Sequence, residues 1–481
     1  MIRTYQDFEK VMNNENKKKI FISEAIQEHK ASTNYKIAES AYDYDRQQNT
    51  DIMKYEKCIR NMQGGKIIDI FAPNNKIASN FFNQFTNQEN QYLLSNGIDF
   101  EDKDEKIKNI LGEKFDIQLQ KGAKNALIAG ASYGFWNNDK IIFFEYTEFV
   151  PFLDEISGEL RAGIRFWQLE KEKPIMITLY EEDGYTEYIQ KGDALENTTD
   201  KNAYITIVRK SNVKIEEIEN RNYTKLPIIP LYTNKYHDSR LLGMKNTIDL
   251  YDRIFSEFGN DFDRYQQIYW VFKNCGGMNE QDIGKFMTKL KVFGGADVDS
   301  ENGNANAEAN TIDIPYAARQ VALEMLEKRI YKDYGAIDIS NISSNATQDE
   351  INSKYMPLDL KVDEFEYYIR EFLEKLFNLL GRENIKFKFN RDKMESKQNE
   401  IDLELKKAQA KQIETTTILS IADLLDAETL IKILIDKEII DVDDIKKVEK
   451  DNEKINFAKK LIERLQNEAD NRIEALNNFV K

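Results

Sequence analysis

The chain has 481 residues, with 84 Asp or Glu against 68 Lys or Arg and a formal net charge of -16. Its 41% hydrophobic and 11% aromatic content excludes global disorder, and its length exceeds one simple core, so three or four packed units are expected. Two cysteines (Cys58, Cys275) and two histidines (His29, His237) rule against disulfide scaffolds, CxxC metal sites and most zinc, di-iron or Ser-His-Asp designs.

No stretch approaches the roughly 18 apolar residues of a membrane span, and no apolar run follows the first charges. The expectation is a soluble intracellular protein without cofactor or metal. The acidic balance speaks against gripping nucleic acid over a broad basic face. It is compatible with an acidic wall that DNA slides past, since such a wall repels phosphates over about 8 to 10 Å.

In chain order, residues 1 to about 135 read as mainly helical. Ile22, Ala25 and Ile26 recur at helical spacing after Lys17, Lys18 and Lys19. A second helix is expected from Asn74–Asn75 through Phe81, Phe82 and Phe85 to Leu94, with Asn96–Gly97 as its stop. The small residues from Gly122 to Gly134 suit close helix packing. From Lys140 to Leu231 the pattern turns to strands at 141–144, 164–169, 175–180 and 204–208. Turns are expected at Ser157–Gly158, Asp183–Gly184 and Gly192–Asp193, and Leu226–Pro230 closes the unit in extended form.

Ile248, Tyr251, Phe255, Phe258, Phe262, Tyr265, Tyr269 and Phe272 then follow at steps of three and four, predicting one continuous helix of about 37 Å. Acids such as Asp249, Asp252, Glu257, Asp261 and Asp263 read as decorating its other faces. Residues 276–314 form an acidic insertion, with a short amphipathic helix on Ile283, Phe286, Met287 and Leu290 and a flexible loop over 300–310. Pro315 opens another helix, which ends at Gly335. Residues 338–349 are small and polar and read as a loop. A second heptad runs from Tyr355 through Leu358, Val362, Phe365, Ile369, Phe372 and Leu376 to Leu379, followed by a strand at 385–389 and a charged helical tail over 393–481.

The sequence contains no phosphate-binding loop, dinucleotide fingerprint, HExxH or EF-hand loop. Asp261 and Asp263 are candidates for a magnesium-dependent DNA-processing enzyme, but residues two apart on a helix point to different faces. His237 beside Asp238 reads better as a helix start, with Asp238 or Ser239 as cap, than as an acid/base pair.

The order of Tyr92–Gly97, Ala126–Gly134, Glu148–Pro151, Ser157–Phe166, Leu226–Pro230, the helix carrying Asp249, Ser256 and Asn260–Asp261, the polar Ser343–Thr347 and Phe387–Asp392 resembles bacteriophage portal proteins of the tailed-phage, siphophage type. The resemblance implies an α+β, mostly helical portal fold with a β-rich wing, long stem helices and a C-terminal helical crown. It places the wing at 1–237, a stem helix at 238–275, the clip at 276–314 and a second stem helix at 315–337. The tunnel loop falls at 338–350, a long wing helix and strand at 351–392, and the crown at 393–481. It implies a homo-oligomeric ring of 12 at one capsid vertex, packed through the stem helix bearing Ile248 to Phe272. Double-stranded DNA would pass without sequence specificity, contacting Ser343, Ser344, Asn345 and Thr347 of the tunnel loop. The implied partners are the terminase large subunit, scaffold and major capsid protein, and a head-completion or adaptor protein, with no membrane and no catalytic residue. The implied location is the virion, with host cytoplasm during assembly. Alternatives from other classes are the magnesium-dependent enzyme and a capsid scaffold or structural protein; the β-rich middle speaks against a simple scaffold rod.

Overall fold

The computed structural model describes residues 3–481 apart from 61–64, 70–71, 101–105, 193, 211–214, 266–268, 274–279, 294–305, 311–315, 343–345, 383–384, 392, 394–403, 411, 414–415, 418–463, 465–472 and 474–481. The chain divides into two units, Met1–Ala336 with Leu358–Arg391, and Ile337–Pro357 with Asp392–Lys481.

The first unit opens with α1 (Tyr5–Glu9), α2 (Glu15–Ala31), α3 (Thr33–Asp45) and α4 (Thr50–Lys54). Local chemistry starts the first three. Thr4 and Asp7 form a reciprocal capping box, and the side chains of Asn14 and Ser32 accept from the backbone N–H three residues on. Phe21, Ile22, Ala25 and Ile26 of α2 are buried, as their spacing predicts, in a core shared with Phe152, Ile164, Ile177 and Leu179.

Next come the hairpin β1 (Cys58–Arg60) and β2 (Lys66–Ile68), then α5 (Phe81–Leu94), β3 (Ile98–Phe100), α6 (Lys106–Leu111) and α7 (Phe115–Ala129). The helix expected from Asn74 begins only at Phe81, because residues 75–79 run extended and spend their N–H groups elsewhere. Gly97 ends the α5 region with φ of 69°. The small-residue run does not stay helical. Gly130 adopts φ of 93°, and a Cβ there would lie 2.2 Å from the His237 carbonyl oxygen, so α7 stops and a strand begins.

That strand is β4 (Ala131–Asn137), followed by β5 (Lys140–Glu145), β6 (Phe149–Leu153), β7 (Leu160–Trp167), β8 (Ile175–Glu181), β9 (Gly184–Lys191), β10 (Ala194–Asn197), β11 (Ile205–Lys210), β12 (Ile215–Arg221) and β13 (Ile228–Tyr232). β6 to β10 form an antiparallel meander in sequence order, while β13, β4 and β5 make a separate antiparallel sheet. The expected α+β class holds, and the glycine turns sit at positive φ at Gly158, Gly184 and Gly192.

The chain continues through α8 (Lys245–Tyr265), β14 (Tyr269–Lys273), α9 (Glu280–Phe293), β15 (Asn306–Asn310) and α10 (Tyr316–Tyr334), then α11 (Gln348–Leu379) and β16 (Phe387–Phe389). Two expectations are corrected here. The aromatic heptad does not form one helix to Phe272: Tyr269 and Phe272 lie on β14, paired antiparallel with β15 in the register Tyr269↔Asn310 and Phe272↔Ala307. The loop expected over 300–310 ends in a strand, since Asn306–Asn310 supplies the partner that β14 needs. The short amphipathic helix of the insertion is present as α9, with Phe286 buried.

In α11 the heptad residues Leu358, Val362, Phe365, Ile369, Phe372 and Leu376 are buried. Phe372 packs on Phe143 with ring centroids 5.5 Å apart, seating α11 on the β4–β5 sheet. β16 pairs with β3 and closes this side. Pro357 lies inside α11, and the division between the two units falls immediately after it. In the second unit, Ile339–Asn341 form a short 3-10 turn, Ala346 and Ile351 are buried, and residues 404–410 are helical. The remainder of the expected crown lies almost wholly outside the described residues.

Candidate functional site

Helices α8 and α10 pack antiparallel. Ile248 at the start of α8 and Ile330 and Tyr334 at the end of α10 share one core with Phe81, Phe82 and Phe85 of α5. At the other end, Phe258 and Phe262 of α8 meet Tyr316 of α10, with centroids 5.7 and 6.2 Å apart. Arg319 of α10 pairs with Asp261 of α8. The pair is therefore rooted in the core of the unit and continues into the β14–β15 ribbon.

Of the eight residues in the predicted packing stripe, Ile248 is buried, Tyr251 packs edge-on against Phe81, and Phe255 stacks on Tyr251. Phe255 and Phe262 remain 37% and 53% exposed, which leaves apolar surface on this flank of α8. The side chains of Tyr265, Tyr269 and Phe272 lie outside the described residues.

The opposite face of α8 carries a feature that sequence reading missed. Asp252, Ser256 and Asn260 recur at steps of four, and each accepts from a backbone N–H of the extended segment before α5. Ser79 N–H donates to Asp252 at 2.9 Å, Ile77 N–H to the Ser256 hydroxyl at 3.0 Å, and Asn75 N–H to the Asn260 carbonyl at 2.6 Å. The segment thus runs as a strap along the helix, every second amide held by a side chain instead of a neighbouring strand. Asp252, read as a surface acid, is 1% exposed and also accepts from the Asn49 side-chain amide. Burial pushes its carboxyl above the usual range, against the pull of the hydrogen bonds from Asn49 and Ser79. Asp249 is likewise engaged, by Lys245 and the Tyr44 hydroxyl.

A buried charge cluster holds the C-terminal end of α10. Glu89 of α5 accepts from the Tyr334 hydroxyl at 2.6 Å and from Arg240 at 2.9 Å. Arg240 also reaches Glu364 of α11 at 3.3 Å. Lys361 of α11 donates to the Tyr334 carbonyl at 2.6 Å and sits 3.4 Å from the centre of its ring. A lysine on the last carbonyls of a helix complements the helix dipole. Desolvation nevertheless dominates and lowers the Lys361 pKa to about 8.

Of the candidate loop residues, Ser343, Ser344 and Asn345 lie outside the described residues. The Thr347 hydroxyl accepts from the Glu350 N–H at 3.3 Å, an N-cap bond at the start of α11. Helix α11 thus begins within the span read as loop, at Gln348.

His237, expected at a helix start, has φ of 57° and stacks on Tyr232 at 3.6 Å. Helix α8 starts only at Lys245. The Ser239 hydroxyl accepts from the Leu241 N–H at 3.1 Å within the intervening turn.

Among the described residues, no three His, Cys, Asp or Glu side chains gather into a group that could hold a metal ion. Among them also, no helix is long and apolar enough to cross a membrane.

Comparison with known proteins gives a consistent result. Residues 24–458 match the family described as phage portal protein, SPP1 Gp6-like. The portal protein of Clostridium phage phiCD119 is 26% identical over 331 residues, covering 64% of this chain and 71% of that protein. The portal protein of Bacillus phage SPP1 is 26% identical over 369 residues, covering 71% of this chain and 70% of its own. Among solved structures, a chain in the neck of a native gene transfer agent particle, computed with C12 symmetry, aligns at 9% identity and TM-score 0.38, over 69% of this chain and 85% of that one. A match of this breadth, over both units of the fold, means that the chain belongs to the SPP1 Gp6-like family of phage portal proteins.

Proposed function

We propose that this portal protein acts as a homo-oligomeric ring of 12 chains at one capsid vertex, a conduit for DNA during packaging and ejection. The observation that carries the reading is the family match over residues 24–458. The geometry supports it in three ways. The antiparallel α8–α10 pair, rooted in a core and continued by β14–β15, suits a stem and clip over 238–337. The meander of β6 to β10, with α2 packed on it, suits a wing. The net charge of -16 suits a channel that lets phosphates pass without adhesion.

In this reading residues 338–350 supply the tunnel loop and 393–481 the crown. The ring docks the terminase large subunit, scaffold and major capsid protein, then a head-completion or adaptor protein. It assembles in host cytoplasm and performs no catalysis of its own. The magnesium-dependent alternative loses its main candidate ligand, because Arg319 occupies Asp261.

Negative-stain electron microscopy of the full chain, with native mass measured on the same preparation, tests the ring. Annular particles with a mass of roughly twelve chains are expected. A compact monomer that cleaves DNA in the presence of magnesium would overturn the reading.

A further inference from the structure

Two solvent faces of the first unit carry opposite charge beside exposed apolar side chains. On α10, Val321, Met325, Lys328 and Lys332 recur at steps of four, three and four and so share one face, turned away from the buried Ile330 and Tyr334. Val321 and Met325 are 54% and 66% exposed. Lys328 and Lys332 are exposed, and among the described residues neither is in an ion pair. On α11, Leu360, Glu364, Tyr367, Glu371 and Glu374 likewise share one face, opposite the heptad buried on the β4–β5 sheet; Glu364 pairs with Arg240 and Glu371 with Lys375 of the same helix. Leu360 and Tyr367 are each 65% exposed.

We propose that the apolar and basic face of α10 docks on the apolar and acidic face of α11 of a second copy of this chain. The proposal rests on the ring reading above and names a surface that carries the ring. Charge complementarity selects the occupant. On a chain of net charge -16 an exposed basic strip is the minority feature, and its complement lies on the same chain's α11. The apolar half of the α10 face argues against nucleic acid as the partner, because phosphate binding has no use for Val321 or Met325. Both faces have heptad-like spacing, so two such helices can pack side by side with their ridges interleaved. The two faces differ, so the contact is head-to-tail, and repetition of a head-to-tail contact closes a ring when its rotation permits.

The test uses charge reversal in the full chain, read by native mass, with circular dichroism and thermal unfolding as controls for folding. Lys328→Glu with Lys332→Glu should lose the ring, and Glu371→Lys with Glu374→Lys should lose it too. This reversal leaves the Arg240–Glu364 pair intact but breaks the exposed Glu371–Lys375 pair within α11, so Lys375→Ala serves as the control for that loss and should keep the ring. Combining all four substitutions in one chain restores complementarity and should restore the ring, as should mixing the two double variants. Rings that survive both reversals, or folded quadruple-variant chains that fail to assemble, would overturn this interface while leaving the ring reading standing. Intact rings that bind less DNA after reversal at Lys328 and Lys332 would assign the face to nucleic acid and also overturn it. A wild-type chain that stays monomeric at all concentrations would defeat both readings together.

Discussion

Lys361 shows how much one residue's surroundings decide. The Tyr334 ring and carbonyl favour its ammonium form, as do Glu89 and Glu364, while Arg240 opposes it. Desolvation outweighs these and lowers its pKa from 10.5 to about 8. Between that value and the ordinary lysine range the unfolded chain binds more protons than the folded one, so stability rises with pH across this window. The expected outcome is that the thermal midpoint of the wild type gains on that of Lys361→Met as pH rises from about 7 to about 9.5. Parallel thermal scans of both proteins at several pH values check it, and a constant difference would exclude Lys361 as the titrating group. None of this was visible in the sequence, where Lys361 is one charge among many on a long helix.

At the scale of elements, spacing was informative and reach was not. The apolar period of α11 was legible because its core positions repeat without interruption from Leu358 to Leu376. The aromatic period of α8 was legible as far as Phe262. It then led past the helix end, since Tyr269 and Phe272 satisfy a strand's preferences equally well and Asn306–Asn310 offers backbone partners. The strap over 75–79 was invisible for a different reason. Asp252, Ser256 and Asn260 look like a solvated polar face, and their partners lie 173 to 185 residues upstream. Their value is measurable: Asp252→Ala strands the Ser79 N–H and takes one acceptor from the Asn49 amide, which keeps the Ser79 carbonyl, and should cost about 2 to 3 kcal/mol in denaturant unfolding. Ser256→Ala should cost about 1 kcal/mol, because it removes a neutral hydroxyl that accepts from the Ile77 N–H and donates only at 3.4 Å to the Ile77 carbonyl. A change below the error of the measurement at Asp252 would show that the strap is already loose in solution.

For the whole molecule, the family was legible because its marks are spread in order along the chain, and no single one had to carry the identification. The candidate site was legible only in outline. The aromatic stripe read as a packing face is helical as far as Phe262, whereas the span read as a loop includes Thr347, whose hydroxyl caps α11. If residues 343–345 touch DNA in the ring, deleting them while keeping Thr347 should leave assembly intact and lower the DNA packaged per particle. A packaging assay with purified procapsids measures this, and unchanged filling would take the loop out of the DNA path.

The strap has one more consequence. A segment zipped to a helix through alternate amides is a clasp with three separate catches, and it can open one catch at a time while α5 and α8 keep their own backbone hydrogen bonds. Helix α8 is therefore tied to the segment before α5 by a fastening that can yield stepwise, while its buried Ile248 and the Asp249–Tyr44 and Asp252–Asn49 contacts keep it seated on the N-terminal helices.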